Sequence, residues 1–487
     1  MTFWTLEHIK GVCGGTWLAR PEGAGPIEGV SIDSRTIRPG QVFIAIKGEK
    51  HDGHAFVDGA VRAGAGMVVV SDAKAAGKVG VPVLLVADTG QALLKLAQAY
   101  RRTLDTTRVI AVGGSNGKTT TVNLIHQVLG RTLRGTASPK SFNNAVGVPL
   151  TILNAKRGDQ YLVCEVGTNA PGEILPLTRA IEPDIAVITS IGREHLEGLH
   201  SLQGVVQEEV SLLTGLKRSG VAIVNADAPG LMESARPLIA GEGRQMLSFG
   251  FSEKADLRLT STEQTPDGLR LCLNGRTWFS LPLLGLHNAS NAAAAVAVAR
   301  RLGVAQEEIE KGLAGASGPP MRLEQIAAGG VRFINDAYNA NPESVLAALK
   351  TFGEVFGSVP GVRRVVVLGD MLELGEQAPD LHREVGEALG ACTWADHVIL
   401  VGRLSLFAAD RAMRTLSAER VTLLEDVEGP GAARAAGLLR PGDVVLLKGS
   451  RRMGLERIID ARKAISPPML AGAEVKPDKG GPPVAKR

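Results

Sequence analysis

The chain has 487 residues and a nearly balanced charge, with 54 Lys and Arg against 50 Asp and Glu. Its length predicts about three domains, and the net charge of +4 gives no reason to expect a nucleic-acid partner. No apolar run approaches the roughly 18 residues of a membrane span, and residues 1–10 lack the pattern of a secretion signal. The four cysteines form no CxxC pair, so we expect reduced, buried thiols in a cytoplasmic protein.

Residues 1–105 are predicted to form a smaller N-terminal α/β domain. Their short apolar runs are separated by glycine-rich turns and precede a helix-like segment at 91–100. The runs predicted as strands are residues 42–46, 67–70 and 83–86.

Residues 106–316 are predicted to form a central ATP-binding domain. A buried-type strand at 108–112 runs into a glycine-rich loop and then a helix. The apolar runs that follow alternate with helix-length segments, which predicts a mostly parallel sheet. Its further strands are predicted at residues 161–166, 185–190 and 221–225, with an alanine-rich helix at 290–301.

A Gly- and Pro-rich stretch at 315–320 indicates a linker into a third unit, residues 317–465. This unit is predicted to be a C-terminal Rossmann-like α/β domain. Its strands are predicted at residues 364–368, 397–401 and 443–448. Residues 466–487 are rich in Pro, Gly and Lys and poor in large apolar residues, which predicts a disordered tail.

The most informative stretch is the loop Gly114-Ser115-Asn116-Gly117-Lys118-Thr119-Thr120. Its glycines allow the backbone N–H groups to point at phosphate oxygens, at the positive end of the following helix. Lys118 would neutralise the β- and γ-phosphates of ATP, and the Thr119 hydroxyl would bind Mg²⁺. Val112 stands where kinase and GTPase loops carry their first glycine, so this loop is a shortened GxxGKT. The alternative is a glycine-rich turn that happens to precede Lys-Thr.

Ten short motifs along residues 25–460 resemble, in their order and spacing, the Mur ligase family. They are Ser31-Ile-Asp-Ser-Arg35, Lys47-Gly-Glu-Lys-His-Asp-Gly-His54, Gly114-Ser-Asn-Gly-Lys-Thr-Thr120, Asn143-Asn-Ala-Val-Gly-Val-Pro-Leu150, Glu165-Val-Gly, His195-Leu-Glu-Gly, Gly285-Leu-His-Asn-Ala-Ser-Asn-Ala292, Tyr338-Asn-Ala-Asn-Pro342, Leu368-Gly-Asp-Met-Leu-Glu-Leu-Gly375 and Lys448-Gly-Ser-Arg451. The resemblance implies a monomeric three-domain enzyme of peptidoglycan precursor synthesis. With ATP and Mg²⁺ such an enzyme phosphorylates a carboxylate, and an amine then displaces the phosphate.

Glu165 and His195 each follow a predicted strand, so both would emerge at the carboxyl edge of the sheet, where open α/β sheets bind ligands. The resemblance implies that both bind Mg²⁺, and that they act in catalysis with Lys118 and Arg322. From the residues alone, a solvated carboxylate and a structural histidine are the alternatives.

The resemblance also extends the predicted ATP site beyond the loop. It implies that Asn288 contacts the adenine, that Asn291 also belongs to the ATP site, that Arg322 approaches the phosphates and that Asp336 reaches the ribose. Closure of the C-terminal domain would complete the site and exclude water. Taken alone, the two asparagines are typical of helix N-caps, and Arg322 with Asp336 of a surface ion pair.

Substrate-binding residues are implied in all three domains. They comprise an N-terminal pocket for the uridine nucleotide, a path for the sugar and peptide, and C-terminal residues with a basic cluster for the dipeptide carboxylate. A solvated strand end is the alternative for that cluster. The residues are Ser34, Arg35, Lys47, His51 and His54 for the nucleotide, Asn143 and Asn144 for the sugar and peptide, and Asn339, Asn341, Lys448, Ser450 and Arg451 in the C-terminal domain.

The run from Tyr338 to Pro342 resembles members of the family that add D-alanyl-D-alanine to UDP-N-acetylmuramoyl-tripeptide. Members that add diaminopimelate or lysine carry an Asp-Asn-Pro-Arg motif, which this sequence lacks. Folylpolyglutamate synthase shares the loop but not the uridine pocket. A nucleotide-dependent switch is the alternative from another class, and the shortened loop between two further domains speaks against it.

Glu209 marks a departure from the family. Mur ligases generally carry a lysine at this distance from the histidine, carbamylated by CO₂ to bind a second Mg²⁺. This chain has no lysine between Lys156 and Lys217, so we expect the Glu209 carboxylate to bind the metal instead, directly or through water. The alternative is that Glu208 and Glu209 form a solvated acidic face.

Overall fold

The computed structural model describes residues 3–21, 25–48, 51–77, 79–241 and 243–465. The predicted tail, residues 466–487, lies outside the described residues. Within these described ranges, three sheets of five, nine and six strands follow one another along the chain. The predicted fold class is therefore confirmed, and each predicted strand overlaps an observed one. No helix in the described ranges is both long and apolar enough to cross a membrane.

The N-terminal sheet has the strand order β1-β5-β4-β3-β2, in which β1 is antiparallel and the others are parallel. Its central strands are buried apolar runs, as a parallel sheet covered on both faces requires. Its elements are α1 (Leu6–Cys13), β1 (Thr16–Ala19), β2 (Val30–Ser31), β3 (Val42–Ile44), α2 (Val57–Arg62), β4 (Met67–Val70), β5 (Val83–Leu85) and α3 (Thr89–Arg101).

The central sheet runs β14-β13-β12-β11-β10-β9-β6-β8-β7, parallel from β7 to β12 and closed by an antiparallel β12-β13-β14 meander. The sequence did not reveal this meander. The elements are β6 (Arg108–Gly113), α4 (Lys118–Leu129), β7 (Gly135–Ala137), α5 (Gly147–Asn154), β8 (Tyr161–Glu165), α6 (Ile174–Ile181), β9 (Ile185–Ile188), α7 (Leu196–Leu199), α8 (Leu202–Val210), β10 (Val221–Asn225), α9 (Leu231–Ile239), β11 (Gln245–Gly250), β12 (Leu257–Thr265), β13 (Gly268–Leu273), β14 (Thr277–Leu281), α10 (Leu286–Arg301) and α11 (Gln306–Ala314).

The C-terminal sheet has the order β15-β16-β20-β17-β18-β19, parallel except for the β15-β16 hairpin. Apolar clusters cover both of its faces. The elements are β15 (Glu324–Ala328), β16 (Val331–Asp336), α12 (Pro342–Phe356), β17 (Arg364–Gly369), α13 (Ala378–Gly390), β18 (His397–Val401), α14 (Ser405–Ala412), β19 (Val421–Leu424), α15 (Pro430–Gly437), β20 (Val444–Lys448) and α16 (Glu456–Ile465).

Neighbouring parallel strands bring distant residues to the same sheet edge. In the central sheet β6 lies between β8 and β9, so the glycine-rich loop, Glu165 and the segment leading to His195 meet there. In the C-terminal sheet Asp336 and Lys448 are register partners at the ends of β16 and β20. The two edges face each other across one cavity.

Candidate active site

A cavity of about 480 Å³ lies between the central and C-terminal domains. Its volume lies within the range of ligand pockets, roughly 300–1,000 Å³. Fifteen of the predicted site residues line it: Ser115, Asn116, Gly117, Lys118, Thr120, Asn143, Glu165, His195, Asn288, Asn291, Arg322, Asp336, Asn339, Asn341 and Lys448.

The glycine-rich loop enters α4 with backbone angles that favour glycine. Gly114 has φ +115° and Gly117 has φ +87°, and a Cβ on Gly117 would overlap the Asn291 amide. Lys118 is the first residue of α4. Its Nζ donates to the carbonyl oxygens of Gly114 and Ser115, and lies 3.7 Å from Glu194 Oε1. The Lys118 ammonium group therefore lies against the glycine-rich loop, where the ATP phosphates that it is predicted to neutralise would bind.

Glu165, the last residue of β8, is buried beside the loop and is only 1% exposed. Its Oε1 accepts hydrogen bonds from Thr119 Oγ1 at 3.1 Å and from Asn143 Nδ2 at 3.0 Å. Burial raises the pKa of Glu165 despite the opposing charges of Arg322 and Lys118. The alternative of a solvated carboxylate is therefore wrong.

Glu209 lies close to the start of the glycine-rich loop and is fully buried. Its Oε2 accepts a hydrogen bond from the Gly114 N–H at 2.6 Å. Burial raises the pKa of Glu209 to about 7, although Lys118 acts in the opposite direction. The neighbouring Glu208 accepts from the backbone N–H groups of Gly172 and Ile174. The alternative of a solvated acidic face is wrong, because both side chains are buried against backbone donors.

Two carboxylate oxygens at this site fit a hard cation. Glu165 Oε2 and Glu209 Oε1 are buried and have no hydrogen-bond partner among the described atoms. A buried anionic oxygen without a partner is costly, and Mg²⁺ prefers such oxygen ligands. Within the described ranges no three His, Cys, Asp or Glu side chains form a ready-made metal cluster.

His195 precedes α7 in a left-handed conformation, with φ +49°. Its Nδ1 lies 3.1 Å from Glu373 Oε2 of the C-terminal domain, and its Nε2 lies 4.0 Å from Glu194 Oε2. Burial alone would lower the pKa of His195, but the hydrogen bond with Glu373 and the charge of Glu194 outweigh it and raise the pKa. Glu194, 6% exposed, lines the cavity and was not predicted. The signal that could have found it is a carboxylate directly before His195, in the segment that follows the buried strand β9.

Arg322 reaches across the domain boundary to the end of the glycine-rich loop. Its Nη2 donates to Thr119 Oγ1 at 3.1 Å, and its guanidinium carbon lies 4.5 Å from the centre of the Tyr338 ring. Met321 and Leu323, on either side of it, have φ +60° and +50°. Strained backbone of this kind is concentrated at functional sites.

Asp336 pairs with Lys448 rather than with Arg322. Their charged atoms, Oδ2 and Nζ, lie 2.9 Å apart, and Lys448 Nζ also donates to the Asn339 carbonyl. Lys448 is 4% exposed. The alternatives of a surface Arg322–Asp336 ion pair and of a solvated strand end at Lys448 are both wrong.

Asn288 and Asn291 lie inside α10, whose N-cap is Gly285 with φ +96°. Asn288 Nδ2 donates to the Leu284 carbonyl, and Asn291 Nδ2 donates to Asn288 Oδ1 at 2.9 Å. The interpretation of these residues as N-caps is wrong, because a left-handed glycine starts the helix before them. Both amides instead face the cavity.

The predicted uridine-binding residues line no part of this cavity. Arg35 is exposed and pairs with Asp33 at 2.7 Å, which holds the pKa of Asp33 at about 2. The buried His54 ring is occupied at both nitrogens: Nδ1 lies 2.6 Å from Asp52 Oδ1, and Nε2 accepts from the Ser71 N–H. Ser34, Lys47 and His51 also lie outside the cavity.

Three further predicted substrate residues are held by local contacts outside the cavity. Asn144 Oδ1 accepts from the N–H groups of Val146 and Gly147 at the start of α5. Ser450 Oγ accepts from the Leu372 N–H. Arg451 is exposed and pairs with Glu456 at 2.6 Å.

The fold and the site define a three-domain α/β protein with a glycine-rich loop at an interdomain cavity. The chain belongs to the Mur ligase family. Residues 112–299 match the Mur ligase middle domain, residues 321–451 the Mur ligase glutamate ligase domain, and residues 26–101 the Mur ligase family catalytic domain. The resemblance stated from the motifs is confirmed.

Similar proteins extend over nearly the whole chain. The UDP-N-acetylmuramoyl-tripeptide–D-alanyl-D-alanine ligase of Bacillus subtilis is 38% identical over 458 residues, covering 93% of this chain and 97% of that protein. The crystal structure of MurF from Acinetobacter baumannii is 31% identical, with a TM-score of 0.82 and coverage of 94% and 99%. MurF ligase from Thermotoga maritima, solved in complex with ADP, is 26% identical, with a TM-score of 0.76 and coverage of 90% and 97%.

Proposed function

We propose that this Mur ligase is an ATP-dependent enzyme that joins UDP-N-acetylmuramoyl-tripeptide to D-alanyl-D-alanine through an acyl-phosphate. The observation that carries the proposal is the cavity in which the phosphate loop, Glu165 and His195 face Arg322 and Asp336. The full-length similarity to ligases named for this reaction supports the choice of substrates. An amide ligase must activate a carboxylate, and this cavity offers charge neutralisation and alignment for doing so.

The first step is phosphoryl transfer. A carboxylate oxygen of the tripeptide attacks the γ-phosphorus, the bond to the β,γ-bridging oxygen breaks, and ADP leaves. Lys118 would exchange its bonds to the loop carbonyls for bonds to phosphate oxygens, and Arg322 would neutralise charge from the opposite wall. Mg²⁺ ions would supply further charge neutralisation, with Thr119, Glu165 and His195 among their ligands and Glu209 as a ligand of the second ion.

The second step is attack by the amine of D-alanyl-D-alanine on the acyl carbon. The C–N bond forms, inorganic phosphate leaves and the nitrogen loses a proton. The C-terminal domain contributes Asn339, Asn341 and Lys448 to the cavity wall. Closure of the two domains around the substrates would exclude water, which would otherwise hydrolyse the acyl-phosphate.

We propose that Glu209 supplies the metal-binding carboxylate that relatives obtain from a carbamylated lysine. Its Oε1 is buried without a hydrogen-bond partner in the described structure, and a cation would satisfy it. Its Oε2 is already bound to the Gly114 N–H, so the same side chain would join the metal to the phosphate loop. Activity should then be independent of bicarbonate and CO₂.

We further propose that the reaction takes place in the cytoplasm and supplies the cell-wall synthesis on which cell shape and division depend. All four cysteines are free, as expected in a reducing compartment. The UDP-linked tripeptide, the dipeptide, ATP and Mg²⁺ are the proposed small-molecule partners, and the protein is proposed to act as a monomer.

Mass spectrometry of a mixture of UDP-N-acetylmuramoyl-tripeptide, D-alanyl-D-alanine, ATP and Mg²⁺ tests the proposal. We expect the pentapeptide product, with ADP and phosphate formed in equal amounts, and no product when any component is omitted. A second mixture offers UDP-N-acetylmuramoyl-dipeptide with diaminopimelate or lysine. Product from the second mixture alone would replace the proposal with the other ligase specificity. ATP hydrolysis without either peptide substrate, and no amide product, would favour the nucleotide switch.

A further inference from the structure

The loop from Gly192 to Leu196 belongs to the central domain, but its side chains are held by the C-terminal domain. Arg193 Nε lies 2.6 Å from Glu343 Oε1 of α12. Its Nη1 and Nη2 lie 2.9 and 2.8 Å from the two carboxylate oxygens of Glu384 in α13. Bidentate Arg–carboxylate pairs fix direction as well as charge, so Arg193 is oriented from two helices of the other domain.

The C-terminal domain also holds the side chains of His195 and Leu196. His195 Nδ1 lies 3.1 Å from Glu373 Oε2, and Leu196 is packed in the C-terminal apolar cluster with Met371 and Leu374. His195 and Glu373 both have left-handed backbones, with φ +49° and +65°. Strained conformations such as these persist only where the surrounding contacts determine them.

Glu194, between these anchors, points the other way. It lines the cavity, and its Oε1 lies 3.7 Å from Lys118 Nζ. Gly192 also connects the loop to the phosphate loop, because its N–H donates to Ser115 Oγ at 2.9 Å. The loop thus bridges the phosphate site and the docked C-terminal domain.

We propose that Glu373, together with Glu343 and Glu384, positions the loop 192–196 for catalysis, so that the C-terminal domain sets the orientation of His195. A carboxylate that accepts from Nδ1–H fixes the tautomer and the plane of an imidazole, which leaves Nε2 to face the site. The role of this His195 orientation in catalysis rests on the proposed function. The arrangement couples domain docking to assembly of the phosphate site.

The test compares Glu373→Ala with Glu376→Ala, which removes an exposed carboxylate near Glu373 in the segment between β17 and α13. Hydrogen exchange of the backbone amides in residues 193–200 is measured on the full chain without substrates or metal. We expect Glu373→Ala to accelerate exchange in this segment at least about fivefold, because opening becomes easier once the anchor is lost. Exchange in α4 and in the Glu376→Ala protein should match wild type.

The second readout is the Mg²⁺ concentration that gives half-maximal ligation. We expect Glu373→Ala to raise it by about 10-fold, as loss of an outer partner of a metal-binding histidine typically does, with the KM for ATP within about twofold of wild type. Glu373→Gln keeps an acceptor oxygen and should recover part of both effects.

Unchanged exchange of residues 193–200 in Glu373→Ala would overturn the proposal, as would equal effects of Glu373→Ala and Glu376→Ala. Exchange is measured without turnover, so it also separates the two proposals. If wild type forms no pentapeptide product, the proposed function fails, whereas the exchange comparison still decides whether Glu373 positions the loop. An accelerated exchange with an unaltered Mg²⁺ requirement would limit Glu373 to a structural role and overturn the catalytic part.

Discussion

The predicted binding residues around the glycine-rich loop and those of the N-terminal domain differ in how completely their polar atoms are hydrogen-bonded. Beside the glycine-rich loop, the buried Glu165 and Glu209 each retain a carboxylate oxygen without a hydrogen-bond partner in the described structure. In the N-terminal domain, Arg35 is paired with Asp33, and His54 is bonded at both ring nitrogens. A buried carboxylate oxygen without a hydrogen-bond partner is costly, and a bound cation would remove that cost. Residues whose polar atoms are all paired with nearby groups instead stabilise the fold or lie at the surface.

The largest expected effect lies in the cavity. Lys118→Ala should reduce kcat for ligation to below about one hundredth of wild type, about 2.7 kcal/mol of barrier. The reason is loss of the charge that neutralises the transferred phosphate. Steady-state kinetics measures the effect, and circular dichroism checks that the fold is kept. Lys350→Ala, on the exposed side of α12, is the matched control. Retention of more than about a tenth of wild-type kcat, under 1.4 kcal/mol, would refute the phosphate-loop assignment.

Glu209→Gln should have the next largest effect. The amide oxygen can still accept from the Gly114 N–H, but the ligand charge for Mg²⁺ is lost. We expect kcat to fall at least about tenfold, about 1.4 kcal/mol of barrier, and the Mg²⁺ requirement to rise. Titration of Mg²⁺ with and without added bicarbonate measures both points, with Glu233→Gln as the exposed control. Wild-type behaviour across the titration would mean that Glu209 binds no metal.

In the N-terminal domain, His54→Ala should act through stability. Loss of the hydrogen bonds to Asp52 and Ser71 should lower the free energy of unfolding by about 1–3 kcal/mol, at roughly 0.5–1.5 kcal/mol for each bond. Urea unfolding followed by circular dichroism measures the change, and the exposed His51 provides the control variant His51→Ala. A raised KM for the UDP-linked substrate without loss of stability would instead make His54 a direct substrate contact.

Arg35→Ala should give the smallest effect on catalysis. Because Arg35 is exposed, we expect an increase in KM for the UDP-linked substrate with kcat unchanged. The pKa of Asp33, held at about 2 by Arg35, should rise toward 3.8 in the variant. Ionised Asp33 therefore stabilises the wild-type fold above about pH 3.8, and this stabilisation is lost as the pH falls through about 2. NMR titration measures the pKa. Arg38→Ala is the control, and a change in kcat would show that Arg35 acts beyond substrate binding.

Local patterns in the sequence determined the positions of the ten predicted strands and the phosphate loop. A buried strand, a glycine turn and a helix start are set by residues close together along the chain. The same reasoning placed Glu165 and His195 at the carboxyl edge of the sheet, because parallel strands end together. The interpretation of Asn288 as an N-cap was wrong, because Gly285, with its left-handed backbone, is the N-cap of α10.

Only the tertiary structure decided how these pieces are joined. Glu209 reaches Gly114 across 95 positions of sequence, and Arg193 reaches Glu343 across 150. Asp336 takes Lys448 as its partner because β16 and β20 are adjacent in register. Burial shifts the pKa of Glu209 and leaves one of its oxygens without a partner, and neither property can be read from a residue's neighbours in sequence. Such properties arise from packing between distant segments, which removes water and fixes the few groups that can replace it.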